Sequence, residues 1–218
     1  MVPGSDHIAE LRKDYRKKRR VIEQRLAEFR TVYEKGDQAI FEELCFCILT
    51  AGSSARMGMR TIAALRDILL SGTEKDLQAR AGEHRVRFWR LRPSYIYCTR
   101  EYLKEFCGLK LRELLASFQE PQERRDFFVK NKAIKGLGYK ASSHFLRNIG
   151  FRGYAILDKH IVNSLREMGV ISKRLKPVTR KGYLAIEKKL AAFAAEIGID
   201  MDHLDLLLWS RKTGEILK

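Results

Sequence analysis

IKGLGYKASSHFLRNIGFRGYAILDKH, residues 134–160, holds the breaks and charges that decide how this chain folds. Gly136 and Gly138 flank a single leucine and precede a helix-compatible run that starts at Tyr139. Lys140 falls in the first turn of that helix, and Asp158 opens another apolar helix further on. Glycines allow positive φ and close backbone approach. A helix N-terminus adds free amide donors and the positive end of a dipole. The turn therefore reads as an anion site suited to a backbone phosphate, with Lys132, Lys135 and Lys140 adding charge around it. Tight connections between helices use the same G-x-G spacing, so the rest of the chain has to decide between the two uses.

Working outward, Pro121–Lys132 reads as the helix before the turn, with Pro121 in its first turn, and Tyr139–Ile149 as the helix after it. Together they make a helix-hairpin-helix. Further back, Ile8, Leu11, Tyr15, Ile22, Leu26, Phe29 and Tyr33 form one stripe on a long helix. The run Arg16–Arg20 covers its other faces. Gly36 ends that helix, and Asp37 is expected to cap the next, whose interior from Ile40 to Leu49 is apolar almost all round. Thr73 with Asp76 predicts a capping box, Gly108 a helix stop, and Asp200 the cap of a last helix containing Leu204, Leu207, Leu208 and Trp209. Residues 82–93 are dense in arginine, with Phe88 and Trp89 interleaved. No sustained period-two run appears, so the chain is expected to be all-α, with about ten helices.

Lysine and arginine number 43 against 27 acidic residues, a net charge of +16 over 218 residues. That balance favours a polyanionic partner, because phosphate neutralisation releases counterions. No apolar run approaches the ~20 residues that span a bilayer, so no membrane partner is expected. Cys45, Cys47, Cys98 and Cys107 lack the grouped spacing of a zinc or iron–sulfur site, so no metal site is expected. With no apolar leader segment visible, a reducing, cytoplasmic location is the expectation, for a monomer.

Lys140 fits either a phosphate contact or an amine nucleophile with a nearby partner. Asp158 fits an N-cap, a carboxylate kept ionised by the helix dipole, or both. At this point GLGYK followed by LDKHI resembles the signature of the helix-hairpin-helix DNA glycosylases of the endonuclease III superfamily. More narrowly, KGLGYKASSHFLRNIGF, AILDKHI and the ending LDLLLWSRKTGEILK are similar to the type 2 8-oxoguanine DNA glycosylases. FEELCFCILTAGSSA is similar to that family's first core helix and loop.

The resemblance implies two helical domains with an active-site cleft between them: residues 1–36 with 152–218, and residues 37–151, ending in the hairpin motif at about 121–149. It implies that Lys140 attacks the sugar C1′ and displaces the base, that Asp158 supports that attack, and that the resulting Schiff base undergoes β-elimination. It implies base recognition by Lys218 and Trp209, with His144 facing the same pocket one turn after Lys140. Backbone phosphate would be held at Lys135, Gly136, Gly138 and His160. The Gly52–Ser53–Ser54 loop would enter the minor groove, although it offers no bulky side chain to fill the gap left by a flipped base. No cofactor is implied beyond a structural monovalent cation that the hairpin carbonyls could hold. The partner would be double-stranded DNA containing 8-oxoguanine, in a prokaryote at the nucleoid. Two other functions fit the same residues: a related glycosylase for a different base, and a non-enzymatic helix-hairpin-helix DNA-binding module.

Overall fold

Among the described residues, 5–84 and 87–216 of this computed structural model, the periodicity becomes eleven α-helices and no strand. Helix α1, Ser5–Glu34, buries Leu11, Ile22 and Phe29 from the stripe read in the sequence. The chain divides into two compact units, Arg30–Gly150 and Met1–Phe29 with Phe151–Lys218. The first division falls inside α1, ahead of Gly36. Its last turn belongs to the central unit because the Tyr33 hydroxyl donates to the Arg112 carbonyl at 3.2 Å and Gly150 lies against the Arg30 backbone.

The central unit is built around α2, Asp37–Leu49, in which Ile40, Phe41 and every residue from Glu43 to Leu49 are buried. Each fully buried aliphatic or aromatic side chain contributes about 1.5–3 kcal/mol, which makes α2 the largest apolar investment of this unit. It touches α3 (Ala55–Leu65), α5 (Leu91–Cys107), α6 (Leu111–Ser117) and α8 (Tyr139–Asn148), while α4 (Glu74–Glu83) packs on α3 and α5, and α7 (Pro121–Lys130) packs on α8. Glu43, buried on α2, accepts a hydrogen bond from the Asn148 amide at 2.8 Å.

Asp37 differs from expectation. Gly36 is the N-cap of α2, and the Asp37 carboxylate instead accepts the Arg112 N–H at 2.7 Å, tying α6 to the start of α2. Helix α7 stops two residues early because Asn131 leaves the helical conformation and its side-chain oxygen takes the Ala133 N–H at 3.0 Å. Thr73 and Asp76 form the expected capping box, and Gly108 ends α5 in the left-handed region.

The other unit packs α9 (Lys159–Glu167) and α10 (Arg180–Glu196) on α11 (Met201–Thr213). Polar contacts dock α1 here: Arg12 donates to the Ile197 carbonyl, Lys18 to Ser210, and Arg211 pairs with Glu10 and Asp14. Tyr15 and His203 share a hydrogen bond at 3.0 Å. Burial lowers the His203 pKa below its ordinary 6.5, ahead of the weaker influence of Asp200, Arg152, Glu23 and Asp202.

The hairpin needs its two glycines for different reasons. Gly136 has φ +79°, and a Cβ there would meet the Tyr95 ring at 2.7 Å. Gly138 is extended at φ −97°, and nothing lies within 4 Å of where its Cβ would point. The fold therefore demands glycine at 136 alone, and the space over 138 faces outward.

Two stability outcomes follow. Gly136→Ala should lower stability by at least about 2 kcal/mol, through left-handed strain plus the clash, and Gly138→Ala by under about 0.5 kcal/mol; urea midpoints check both. A histidine whose folded pKa lies below 6.5 opposes its own protonation, so stability should fall as pH drops through and below that value. His203→Gln should show a smaller loss of melting temperature between neutral and acidic pH than the parent, and an equal loss would count against this role.

Candidate active site

Three pieces of the central unit meet at the hairpin. Lys135 anchors it through its backbone N–H to the Thr99 hydroxyl of α5 at 3.0 Å, leaving the lysine side chain exposed. Arg92 lies 3.4 Å from the Cβ position of Gly136 and donates to the Ala51 carbonyl at 3.1 Å, joining hairpin and loop 50–54. Burial lowers the pKa of its guanidinium, which remains a cation. Gly138 starts α8 without a side-chain cap, so no capping oxygen competes there with an anion at the positive end of the helix.

Lys140 follows in the first turn of α8, exposed, with no hydrogen bond or ion pair among the described residues. An amine so placed can reach an incoming electrophile. His144, one turn on, is half-buried and sits edge-on to Phe46 of α2, ring centres 5.8 Å apart. Beneath this turn the buried Arg125 donates to Ser143, and Tyr139 donates to Asp126 at 3.0 Å, fixing the start of α8 on α7.

In the 50–54 loop, Gly52 has φ +75°, Ser53 N–H bonds the Thr50 carbonyl, and Ser54 caps α3 by accepting from the Met57 N–H at 3.2 Å. The loop is thus a rigid turn with its second serine committed to the helix. Its Gly52 carbonyl accepts from Arg87 at 3.0 Å. Beside it stands Phe88, a ring atom 3.7 Å from the Cβ position of Gly52. Phe88 is 44% exposed with φ +61°, and both Arg87 and Arg92 lie over its ring. A bulky residue at positive φ stores strain, which in natural proteins clusters at functional positions. The sequence shows aromatic residues within an arginine-rich stretch, but not that the chain projects one of them outward beside the loop.

In the other unit, Asp158 is the N-cap of α9. Its Oδ1 accepts both the His160 N–H at 2.8 Å and the Ile161 N–H at 2.9 Å, and Oδ2 accepts none among the described residues. The cap and a free carboxylate oxygen thus coexist in one half-buried side chain. The chain reaches Asp158 through a buried stretch that is neither helix nor strand, Tyr154–Leu157. Its amides are taken by side chains: Ala155 N–H by Glu187 at 2.9 Å, Ile156 N–H by Asp205 at 3.2 Å, and Leu157 N–H by the Tyr183 hydroxyl at 3.3 Å. Just ahead, Asp202 accepts from Gly153 N–H and Arg152; burial raises its pKa above 3.8 in spite of both. None of these four acceptors was singled out in the sequence.

His160 is half-buried in the first turn of α9, and Trp209 half-buried on α11, its carbonyl accepting from Thr213. Lys218 lies outside the described residues. Among the described residues no group of three or more His, Cys, Asp or Glu gathers as metal ligands would. Burial pushes the Cys45 thiol well above 9.0, which removes it as a nucleophile.

The model of the 8-oxoguanine DNA glycosylase family matches residues 22–199. The 8-oxoguanine DNA glycosylase/AP lyase of Korarchaeum cryptofilum is 39% identical over 200 residues, covering 92% of this chain and 91% of the relative. The crystal structure of the Methanocaldococcus jannaschii 8-oxoguanine glycosylase/lyase, in complex with a 15mer DNA containing 8-oxoguanine, superposes with a TM-score of 0.88 at 33% identity, over 97% of this chain and 99% of that one. The 8-oxoguanine DNA glycosylase of Thermotoga maritima gives a TM-score of 0.86 at 32% identity, over 98% and 99% of the two chains. A likeness this extensive in both sequence and backbone, in a chain that carries an open helix N-terminus beside an unpaired lysine, shows that it belongs to the 8-oxoguanine DNA glycosylase family.

Proposed function

We propose that this protein excises 8-oxoguanine from duplex DNA and nicks the strand, as a bifunctional DNA glycosylase and AP (apurinic/apyrimidinic site) lyase. The observation that carries the reading is Lys140, its side chain exposed and unpaired in the first turn of α8, directly after the hairpin, in a chain of this family. The amides at the start of α8, with Lys135 and His160, hold backbone phosphates. The base leaves the stack to be reached. The Lys140 amine attacks C1′, the glycosidic bond breaks, and the base departs with the bonding pair. The amine then forms a Schiff base with the opened sugar, and loss of a C2′ proton expels the 3′ phosphate. Asp158, its Oδ2 free while Oδ1 is held by α9, supports the lysine and stabilises positive charge on the sugar. Trp209 and Lys218 serve base recognition. A monovalent cation on the hairpin carbonyls, a single-chain enzyme, and a cytoplasmic, nucleoid-associated location complete the reading.

Phe88 supplies what the Gly52–Ser54 loop lacks. Its exposed ring, aimed outward beside that loop and backed by Arg87 and Arg92, suits insertion into a duplex where a base has been removed from the stack.

Incubation with duplex holding 8-oxoguanine opposite cytosine, with borohydride present, should trap a covalent adduct with the parent protein and none with Lys140→Gln, leaving unmodified duplex unreacted. Failure of the parent to form an adduct with the lesion duplex would favour the binding-module reading. Asp158→Asn should slow excision on the order of a hundredfold or more while retaining DNA binding. Phe88→Gly should leave stability equal or higher, because strain is relieved, yet weaken binding to a duplex containing an abasic analogue by about tenfold; undiminished affinity would remove Phe88 from this role.

A further inference from the structure

Tyr154–Leu157 is a buried, non-helical stretch leading into Asp158, and buried backbone amides need partners. A sheet neighbour would ordinarily provide them. Here they come from two helices. Tyr183 and Glu187 lie one turn apart on α10, and Asp202 and Asp205 one turn apart on α11, spacings that put each pair on a single helix face. The Tyr183 hydroxyl is used twice, donating to the Ala155 carbonyl at 2.6 Å and accepting from Leu157 N–H. Glu187 holds the amide of Ala155, Asp205 that of Ile156, and Asp202 that of Gly153.

The connection to Asp158 is short. Asp205 holds the Ile156 N–H, and the Ile156 carbonyl accepts the N–H of Asp158 at 2.7 Å. Tyr183 holds Leu157, the residue before Asp158. On the other side, Oδ1 is pinned by the first amides of α9. The free Oδ2 is therefore located from both ends, by α9 after it and by side chains of α10 and α11 before it. Carboxylate acceptors make stronger bonds to amides than neutral ones, which suits a clamp that must hold a segment outside any helix.

We propose that Tyr183, Glu187 and Asp205 are positioning residues for the excision reaction, setting the Asp158 carboxylate by holding the backbone of residues 155–157. The role rests on Asp158 acting at the sugar. None of the three touches the reacting atoms.

The test compares Tyr183→Phe, Asp205→Ala and Asp205→Asn, each alone and combined with Asp158→Asn. The measurements are the single-turnover rate of 8-oxoguanine release, the Kd for duplex containing a tetrahydrofuran abasic analogue, and the melting temperature. Well below the melting point of each variant, Tyr183→Phe and Asp205→Ala should lose rate by about tenfold to a hundredfold, the scale of a small misplacement of a reacting group. Affinity for the analogue should hold, and Asp205→Asn, which keeps an oxygen for the Ile156 N–H, should recover most of the rate. In the Asp158→Asn background the same substitutions should cost nothing further, because coupled residues are not additive.

Unchanged rates in the single variants, or equal losses in both backgrounds, overturn the proposal. Tyr183→Phe keeps its ring in the core, so it decides the matter if Asp205→Ala does not fold. If Asp158→Asn itself turns over at the parent rate, the role of Asp158 fails and the proposal with it, a result distinct from a slow Asp158→Asn beside fast clamp variants.

Discussion

Wherever this chain stops being helical, the backbone amides it frees must find partners, and those partners come from different places at different junctions. Ser54, Thr73, Asp158, Thr179 and Asp200 each cap the helix that follows with their own side chains. Each such bond contributes about 1 kcal/mol and is local, spanning two or three residues. The buried stretch before Asp158 solves the same problem over long range, with acids from α10 and α11. Gly138 has no side chain with which to cap α8, and the starts of α2, α5, α6 and α7 likewise lack a side-chain cap. At α8 the uncapped start stands beside the exposed Lys140 in a chain of net charge +16, which suits a phosphate.

The same accounting explains why site residues also serve the fold. Asp158 caps α9 with one oxygen and keeps the other for chemistry, so no choice between a structural and a chemical role is required. Arg92 spans the Gly136 hairpin and the Ala51 carbonyl while backing the Phe88 ring. Gly136 answers to the fold through its left-handed backbone and the Tyr95 ring; Gly138 answers to nothing in the fold. Two glycines that look equivalent in GLG thus carry different constraints.

Phe88 illustrates strain used for display. At φ +61° it holds a conformation that glycine would adopt at no cost, and its ring stays 44% exposed where burial would have contributed stability. The segment tolerates this because Arg87 and Arg92 tie it to the carbonyls of Gly52 and Ala51, and because the Phe88 carbonyl accepts the amides of Leu91 and Arg92.

What the sequence determined by itself was governed by near neighbours. The 3.6-residue stripe of α1, the apolar α2, the Thr73–Asp76 box, the Gly108 stop, the hairpin with Lys140 in the first turn after it and the Asp158 cap all depend on residues within a few positions of one another, so periodicity and residue type reveal them. Tertiary structure alone decided what depends on residues far apart. It turned Asp37 from a cap into the acceptor of Arg112, drew Arg30–Glu34 into the central unit, set Phe88 beside Gly52, and brought Tyr183, Glu187 and Asp205 to the amides of residues 155–157. Those pairings leave no periodic trace, because a side chain that satisfies a distant backbone amide is chosen by where two helices come to rest, and that is set by packing of the whole unit and not by any local spacing.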